Sequence, residues 1–229
     1  MKVVLFGGGI LSKQYPEYVQ DEDFDIIIFS NTNTDSELGQ AMFENVAVPS
    51  KLLQDLLPHQ KMIHLSTAAV YSGLTGIVTE DSRLTWPLTS YELAHQLMSD
   101  VITFSKKPVV SLRLASMTIK KIQEEVIETG IVKRCRGNAR RSILKRKDFF
   151  ETVKTVVENF VPGIYNVSSF DTTSLEIEDA LVKKYTCMSV YDEDAVVAYR
   201  TLFYAFKHRQ QQCRLVRCLQ LRFRVYVQP

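Results

Sequence analysis

The chain has 229 residues, of which 45% are hydrophobic, 10% aromatic and 24% charged, a balance that supports a sizeable core and excludes a disordered chain. No run of about 18 apolar residues occurs, which excludes a simple transmembrane helix, and the apolar start Met1–Phe6 meets Gly7-Gly8-Gly9 too soon for a secretory signal. The net charge of +2 conceals an uneven distribution: Lys133–Lys147 carries eight bases and Ala195–Pro229 seven, with no acid in either, and the rest of the chain has 13 bases against 26 acids.

In chain order, Lys2–Phe6 reads as a strand buried on both faces, as in a parallel sheet. Residues 10–21 allow at most a short helix, limited by Pro16. Phe24–Ser30 is a second buried strand, and a helix over Glu37–Leu57 is predicted, with Pro49 marking a kink or a new start. Lys61–Ser66 is a third strand. Ser90 is the expected cap of a helix over Tyr91–Phe104, and Pro108–Leu114 is a fourth strand. Strands alternating with helices in this way imply βαβ units. Beyond Ser116 the pattern loosens: helices are expected at Ile122–Thr129, Asp148–Phe160 (capped by Asp148) and Leu175–Tyr185 (capped by Thr173 or Ser174), with a strand at Gly163–Val167. The tail from Lys207 is basic, and Leu219, Leu221, Phe223, Val225 and Val227 alternate with polar residues at a strand-like period of two. Cys135, Cys187, Cys213 and Cys218 form no CxxC pair and have no histidine at zinc spacing, so reduced thiols, no metal and a cytoplasmic location are expected.

Gly7-Gly8-Gly9-Ile10-Leu11-Ser12 fits GxGxxG with serine last, directly after the first strand. Such glycines let a backbone approach a pyrophosphate at a helix start, although a plain tight turn reads the same way. Ile63-His-Leu-Ser-Thr-Ala-Ala-Val-Tyr-Ser-Gly73, Thr79-Glu80-Asp81 and Pro87-Leu-Thr-Ser-Tyr-Glu-Leu-Ala-His95 are far more specific. In order and spacing they resemble the extended short-chain dehydrogenase/reductase family, which includes nucleotide-sugar epimerases, dehydratases and reductases. Asn45-Val46, Arg113 and Gly163-Ile-Tyr-Asn-Val-Ser-Ser169 extend the resemblance over about residues 1–185.

The resemblance implies an α/β fold: a shortened Rossmann-type parallel sheet over 1–118, the remainder of the fold with a small C-terminal substrate lobe over 119–185, and an atypical tail over 186–229. It implies NAD or NADP as cofactor, a nucleotide-sugar substrate, and helices through which a homodimer can form; nucleic acid and membrane are not expected partners. Tyr91 would be the acid/base, with Thr67 bonding the same oxygen. Gly7, Gly8, Gly9, Ile10, Leu11 and Ser12 would take the pyrophosphate, and Ser66 and Ala68 would touch substrate. Arg134, Arg136, Arg140 and Arg141 fall where relatives grip a nucleotide diphosphate.

Two departures stand out. His95 replaces the family's lysine, which binds the nicotinamide ribose and lowers the tyrosine's pKa. Imidazole is shorter and titrates near pH 6.5, so the lost charge is worth about 2–3 kcal/mol beside a phenolate. Also, only Lys13–Phe24 separates the glycine loop from the next strand, where the family has two further strands. If Phe24–Phe29 is the first of those, Asn31 or Asn33 would touch the adenine ribose; its continuity into Asn45 and Ser66 favours the strand before the Asn-Val helix, with Asn31 on the nicotinamide side. Impaired catalysis by this constellation, or a catalytically inactive binding or regulatory relative, are the two readings that result.

Overall fold

The computed structural model describes residues 1–20, 23–31, 37–72, 74, 76–84, 86–117, 131–134, 140–173, 176–177, 179–180, 188–191, 203–205 and 225–227, with the backbone alone at 76–77, 131–134, 140–141, 188–191, 203–205 and 225–227. Five strands, β1 (Val3–Phe6), β2 (Ile26–Phe29), β3 (Lys61–Thr67), β5 (Val109–Leu114) and β8 (Gly163–Val167), form one sheet in the order β1-β2-β3-β5-β8. Every pairing in it is parallel. The short strands β4 (Gly76–Val78), β6 (Ile131–Arg134), β7 (Arg140–Ile143), β9 (Phe170–Thr173) and β10 (Met188–Tyr191) lie outside it. So do β11 (Phe203–Ala205) and β12 (Val225–Val227), of which β12 pairs antiparallel with β4.

The unbroken apolar runs of β1 and β2 are explained by burial on both faces. On one face Leu5, Ile26, Ile28, Ile63 and Leu112 pack against Leu11 and the helix α4 (Arg146–Glu158), through Phe149, Val153 and Val156. On the other, Val4, Ile27, Phe29 and Met62 meet Leu53 of α2 (Val48–Asp55), Leu56 just past its end, and Met98 and Ile102 of α3 (Ser90–Ser105). No helix among the described residues is long and apolar enough to cross a membrane.

The helix expected over Glu37–Leu57 is three pieces: α1 (Leu38–Met42), a π-helical turn over Phe43–Ala47, and α2. Pro49 lacks the N–H that would bond the Asn45 carbonyl, and the wider π turn accommodates that missing rung. At residues 10–15 no helix forms. The chain turns through Gln14 N–H to Leu11 O (2.8 Å) and Tyr15 N–H to Leu11 O (3.2 Å), then Pro16–Tyr18 runs along the outer edge of β1, bonding Leu5 through its N–H and carbonyl at 2.7 Å each. Ile26–Phe29 is thus an inner strand, between β1 and β3, and Asn31 stands at its carboxyl end.

Three cap assignments are resolved by side-chain geometry. Thr89, not Ser90, caps α3: its hydroxyl accepts from Glu92 N–H while the Glu92 carboxylate accepts from Thr89 N–H, a reciprocal capping box. Asp148 lies inside the first turn of α4, whose cap is Lys145, without a side-chain bond. Thr173 makes the same reciprocal pair with Glu176. The predicted helix at 122–129 and the four cysteines lie outside the described residues.

Candidate active site

The carboxyl ends of the five strands form one rim, where open α/β sheets bind ligands. β1 ends there in Gly7–Gly9, with φ of +96° at Gly7 and +99° at Gly9. A Cβ on Gly7 would lie 1.9 Å from the Ser30 carbonyl oxygen, so close packing of the loop on β2 by itself demands glycine. A Cβ on Gly8 would meet nothing within 4 Å, so that backbone borders open space. The helix that should follow is reduced to turns over residues 10–14, so no helix N-terminus follows the glycine loop directly. Leu11, expected at the cofactor, is 1% exposed in the core, and Ile10 packs against the same cluster. The Ser12 hydroxyl donates to the Gly9 carbonyl at 2.9 Å. Asn31 donates to the Glu44 carboxylate at 3.1 Å.

Thr67 closes β3 and opens a 3-10 turn over Ala68–Tyr71, its hydroxyl accepting from Ala69 N–H at 3.1 Å. Glu92 locks this turn to the start of α3: its carboxylate accepts from the Ser72 hydroxyl at 2.6 Å and from Leu88 N–H at 2.7 Å. Gln96 adds a bond to the Val70 carbonyl at 2.9 Å. Between these clamps the Tyr91 hydroxyl lies close enough to the Thr67 side chain for Thr67 to favour the ionised phenol. Burial raises the Tyr91 pKa above 10.0, and Thr67 opposes that rise only in part.

His95, expected as the third member beside Thr67 and Tyr91, lies inward of the phenol. It is 1% exposed beneath Tyr91, ring centroids 4.4 Å apart at 73°, and neither ring nitrogen has a partner. Burial pushes its pKa down to about 4, so the imidazole is neutral at pH 7. His64, 5.9 Å away between ring centroids, is pushed to about 3 by burial and by His95, and its Nδ1 meets the Ser111 hydroxyl at 3.2 Å. No cation therefore reaches the phenol from this position.

Several family-like residues serve the frame. Arg113 Nη1 donates to the Tyr71 hydroxyl at 2.6 Å, and Tyr71 donates to Asn166 Oδ1 at 2.8 Å. Glu80 accepts from Asn166 N–H at 2.9 Å. Ser66 and Ala68, expected at the substrate, are each 4% exposed. Arg134 is in β6 and Arg140 and Arg141 are in β7, with their side chains outside the described atoms, as is the whole of Arg136. Among the described residues no cluster of three or more metal-ligating side chains occurs. The sequence reading missed Glu92, Ser72 and Gln96; the Thr89-x-x-Glu92 spacing was the available signal for the first.

No family model and no curated protein matches the sequence. Solved structures do match its fold. The enzyme WbmG of Bordetella bronchiseptica in complex with NAD and UDP is similar at TM-score 0.63 and 18% identity, over 76% of this chain and 60% of that one. The ADP-L-glycero-D-manno-heptose-6-epimerase of Helicobacter pylori gives 0.64 and 19%, over 73% of this chain and 61% of that one. A hypothetical dTDP-4-dehydrorhamnose reductase from Sulfolobus tokodaii gives 0.64 and 14%, over 87% and 88%. The chain therefore has the Rossmann-type fold found in epimerases, dehydratases and reductases that act on nucleotide sugars. It spans about 60% of the length of the first two.

Proposed function

We propose that this protein is an NAD(P)-dependent oxidoreductase of the nucleotide-sugar-modifying type, acting in the reductive direction on a carbonyl of a nucleotide-linked sugar. The observation that carries the reading is the Tyr91–Thr67 hydroxyl pair at the carboxyl end of β3. A phenol with a raised pKa is a poor base at neutral pH but is protonated and able to donate. Tyr91 would give its proton to the carbonyl oxygen while Thr67 hydrogen-bonds the same oxygen, and the phenolate left behind regains a proton from solvent. A reduced nicotinamide, when bound, would supply the hydride for the carbonyl carbon.

The glycine loop fits such a cofactor in part. The Gly8 backbone borders open space and supports close approach of a pyrophosphate, with Asn31 on the nicotinamide side. The outer edge of β1, where an adenosine half would lie, carries Pro16–Tyr18 instead of a further strand. This supports weak cofactor binding, with Gly7–Gly9 as its main contact. The reading is tested by following NADH and NADPH oxidation with a nucleotide-linked keto-sugar. Turnover abolished by Tyr91→Phe supports it; turnover that survives the change removes Tyr91 from the chemistry.

A second reading, a non-catalytic binding or regulatory relative, is favoured by the burial of neutral His95 where a lysine would serve both cofactor and phenol. Thermal unfolding with each nicotinamide cofactor at 1 mM separates the two. A cofactor bound at about 10 μM stabilises the fold by about 2.7 kcal/mol, and no shift with any of them favours the second reading.

A further inference from the structure

Six buried side-chain atoms on the α3-facing side of the sheet have no hydrogen-bond partner: His64 Nε2, Ser66 Oγ, both nitrogens of His95, Arg113 Nε and Asn166 Nδ2. Three belong to one row. Ser66, Arg113 and Asn166 stand directly opposite one another across β3, β5 and β8, and in-register neighbours of a parallel sheet share a face. They are 4%, 3% and 6% exposed. Two of them, Arg113 and Asn166, line a small pocket at the ends of β5 and β8, closed by Ala68, Ala115, Ser142, Val167 and Ser168, with space for about one water-sized sphere.

Two of the lining residues carry a donor without a partner. Arg113 Nε and Asn166 Nδ2 can only donate. The guanidinium's direct partners are neutral, the Tyr71 hydroxyl and the Glu80 carbonyl. The Glu80 carboxylate is near enough to feel the Arg113 charge but spends Oε1 on Asn166 N–H. A buried cation with neutral partners and two N–H groups without acceptors is costly. One water could accept from both donors, but it would bring no negative charge to the guanidinium beyond what the Glu80 carboxylate supplies at longer range.

We propose that this pocket is a binding site for a single small anion, held between Arg113 Nε–H and Asn166 Nδ2–H. A halide and one oxygen of a small oxyanion share the required chemistry, and the size of the pocket favours the halide. The bound ion would tie the row across β5 and β8 to the turn at Ala68 and to β7 at Ser142, so the fold becomes anion-dependent whether or not the protein turns over a substrate.

Thermal unfolding of the full chain at 100 mM sodium chloride, bromide, nitrate or formate, against gluconate at equal ionic strength, tests this. For a site of about 10 mM affinity the midpoint rises about 3–6 °C with the ligand. A rise with chloride and bromide alone assigns a halide, and a rise with nitrate or formate assigns an oxyanion. Equal midpoints in all five salts overturn the proposal. Asn166→Asp keeps the Oδ1 acceptor for Tyr71 but replaces the donor with a charge, and should abolish the response. Ala68→Val fills the pocket without touching the Arg113 bonds and gives the same result if Asn166→Asp fails to fold; a response that persists in Ala68→Val also overturns the site. In bromide-soaked crystals, an anomalous peak within hydrogen-bond reach of both nitrogens is expected, and its absence there sinks the assignment.

Discussion

Tyr91 and His95, one helical turn apart on α3, meet edge to face with ring centroids 4.4 Å apart. A buried neutral ring thus packs against the phenol, and under the proposed chemistry it favours the protonated, donating form of Tyr91. The pH profile should show it. Reduction needs the protonated phenol, so its rate stays flat across neutral pH and declines only above the ordinary tyrosine value of 10.0; oxidation needs the phenolate and should climb throughout that range.

A lysine at position 95 should invert this preference. His95→Lys places an ammonium beside the phenol and lowers its pKa, by on the order of one unit. Oxidation at pH 7 should then accelerate roughly tenfold, at a cost in thermal stability because the site is buried. His95→Leu, which adds no charge, should leave the pH profile in place. Matching profiles for the two variants would remove charge at this position as the determinant.

Acid should destabilise the fold through the same histidines. His64 and His95 titrate near 3 and 4 in the folded chain, below the unfolded value of 6.5, so the unfolded state binds more protons between those limits. Stability is therefore full above about pH 6.5 and is lost as pH falls toward 3, each histidine contributing on the order of 3–5 kcal/mol. Urea midpoints at pH 7.5 and pH 5 measure the slope, and His95→Leu should flatten it.

The glycine loop separates packing from binding. Gly7→Ala sets a Cβ against the Ser30 carbonyl at a positive φ and should destabilise by more than about 2 kcal/mol. Gly8→Ala meets nothing and should leave the unfolding midpoint within about 0.5 kcal/mol of the parent, while weakening cofactor binding through the added methyl. Fluorescence titration with NADH or NADPH checks the second effect independently of the first.

Removing one hydroxyl should unsettle the frame behind the site. Tyr71→Phe strips Arg113 Nη1 and Asn166 Oδ1 of their shared partner and should cost about 2–3 kcal/mol. Thr89→Ala loses only a cap bond, about 1 kcal/mol. Denaturant unfolding of the two variants ranks them, and equal losses would show that the Arg113 network is not the stiffer element.

The sequence by itself determined the parallel sheet, because strands buried on both faces are mostly apolar, and runs such as Val3–Phe6 and Ile26–Phe29 betray that without any contact map. It also located Thr67 and Tyr91, whose spacing from the end of β3 and along α3 is a property of the local chain. What only tertiary structure decided depends on distant partners. The inner position of β2 follows from its pairing with both β1 and β3. Glycine at position 7 is required by Ser30, 23 residues on. His95 is neutral because helix α3 turns it inward under Tyr91 and against His64, and no residue beside it in sequence records that burial. The row of Ser66, Arg113 and Asn166 exists only in register across three strands, since residues a hundred positions apart become neighbours through sheet pairing alone.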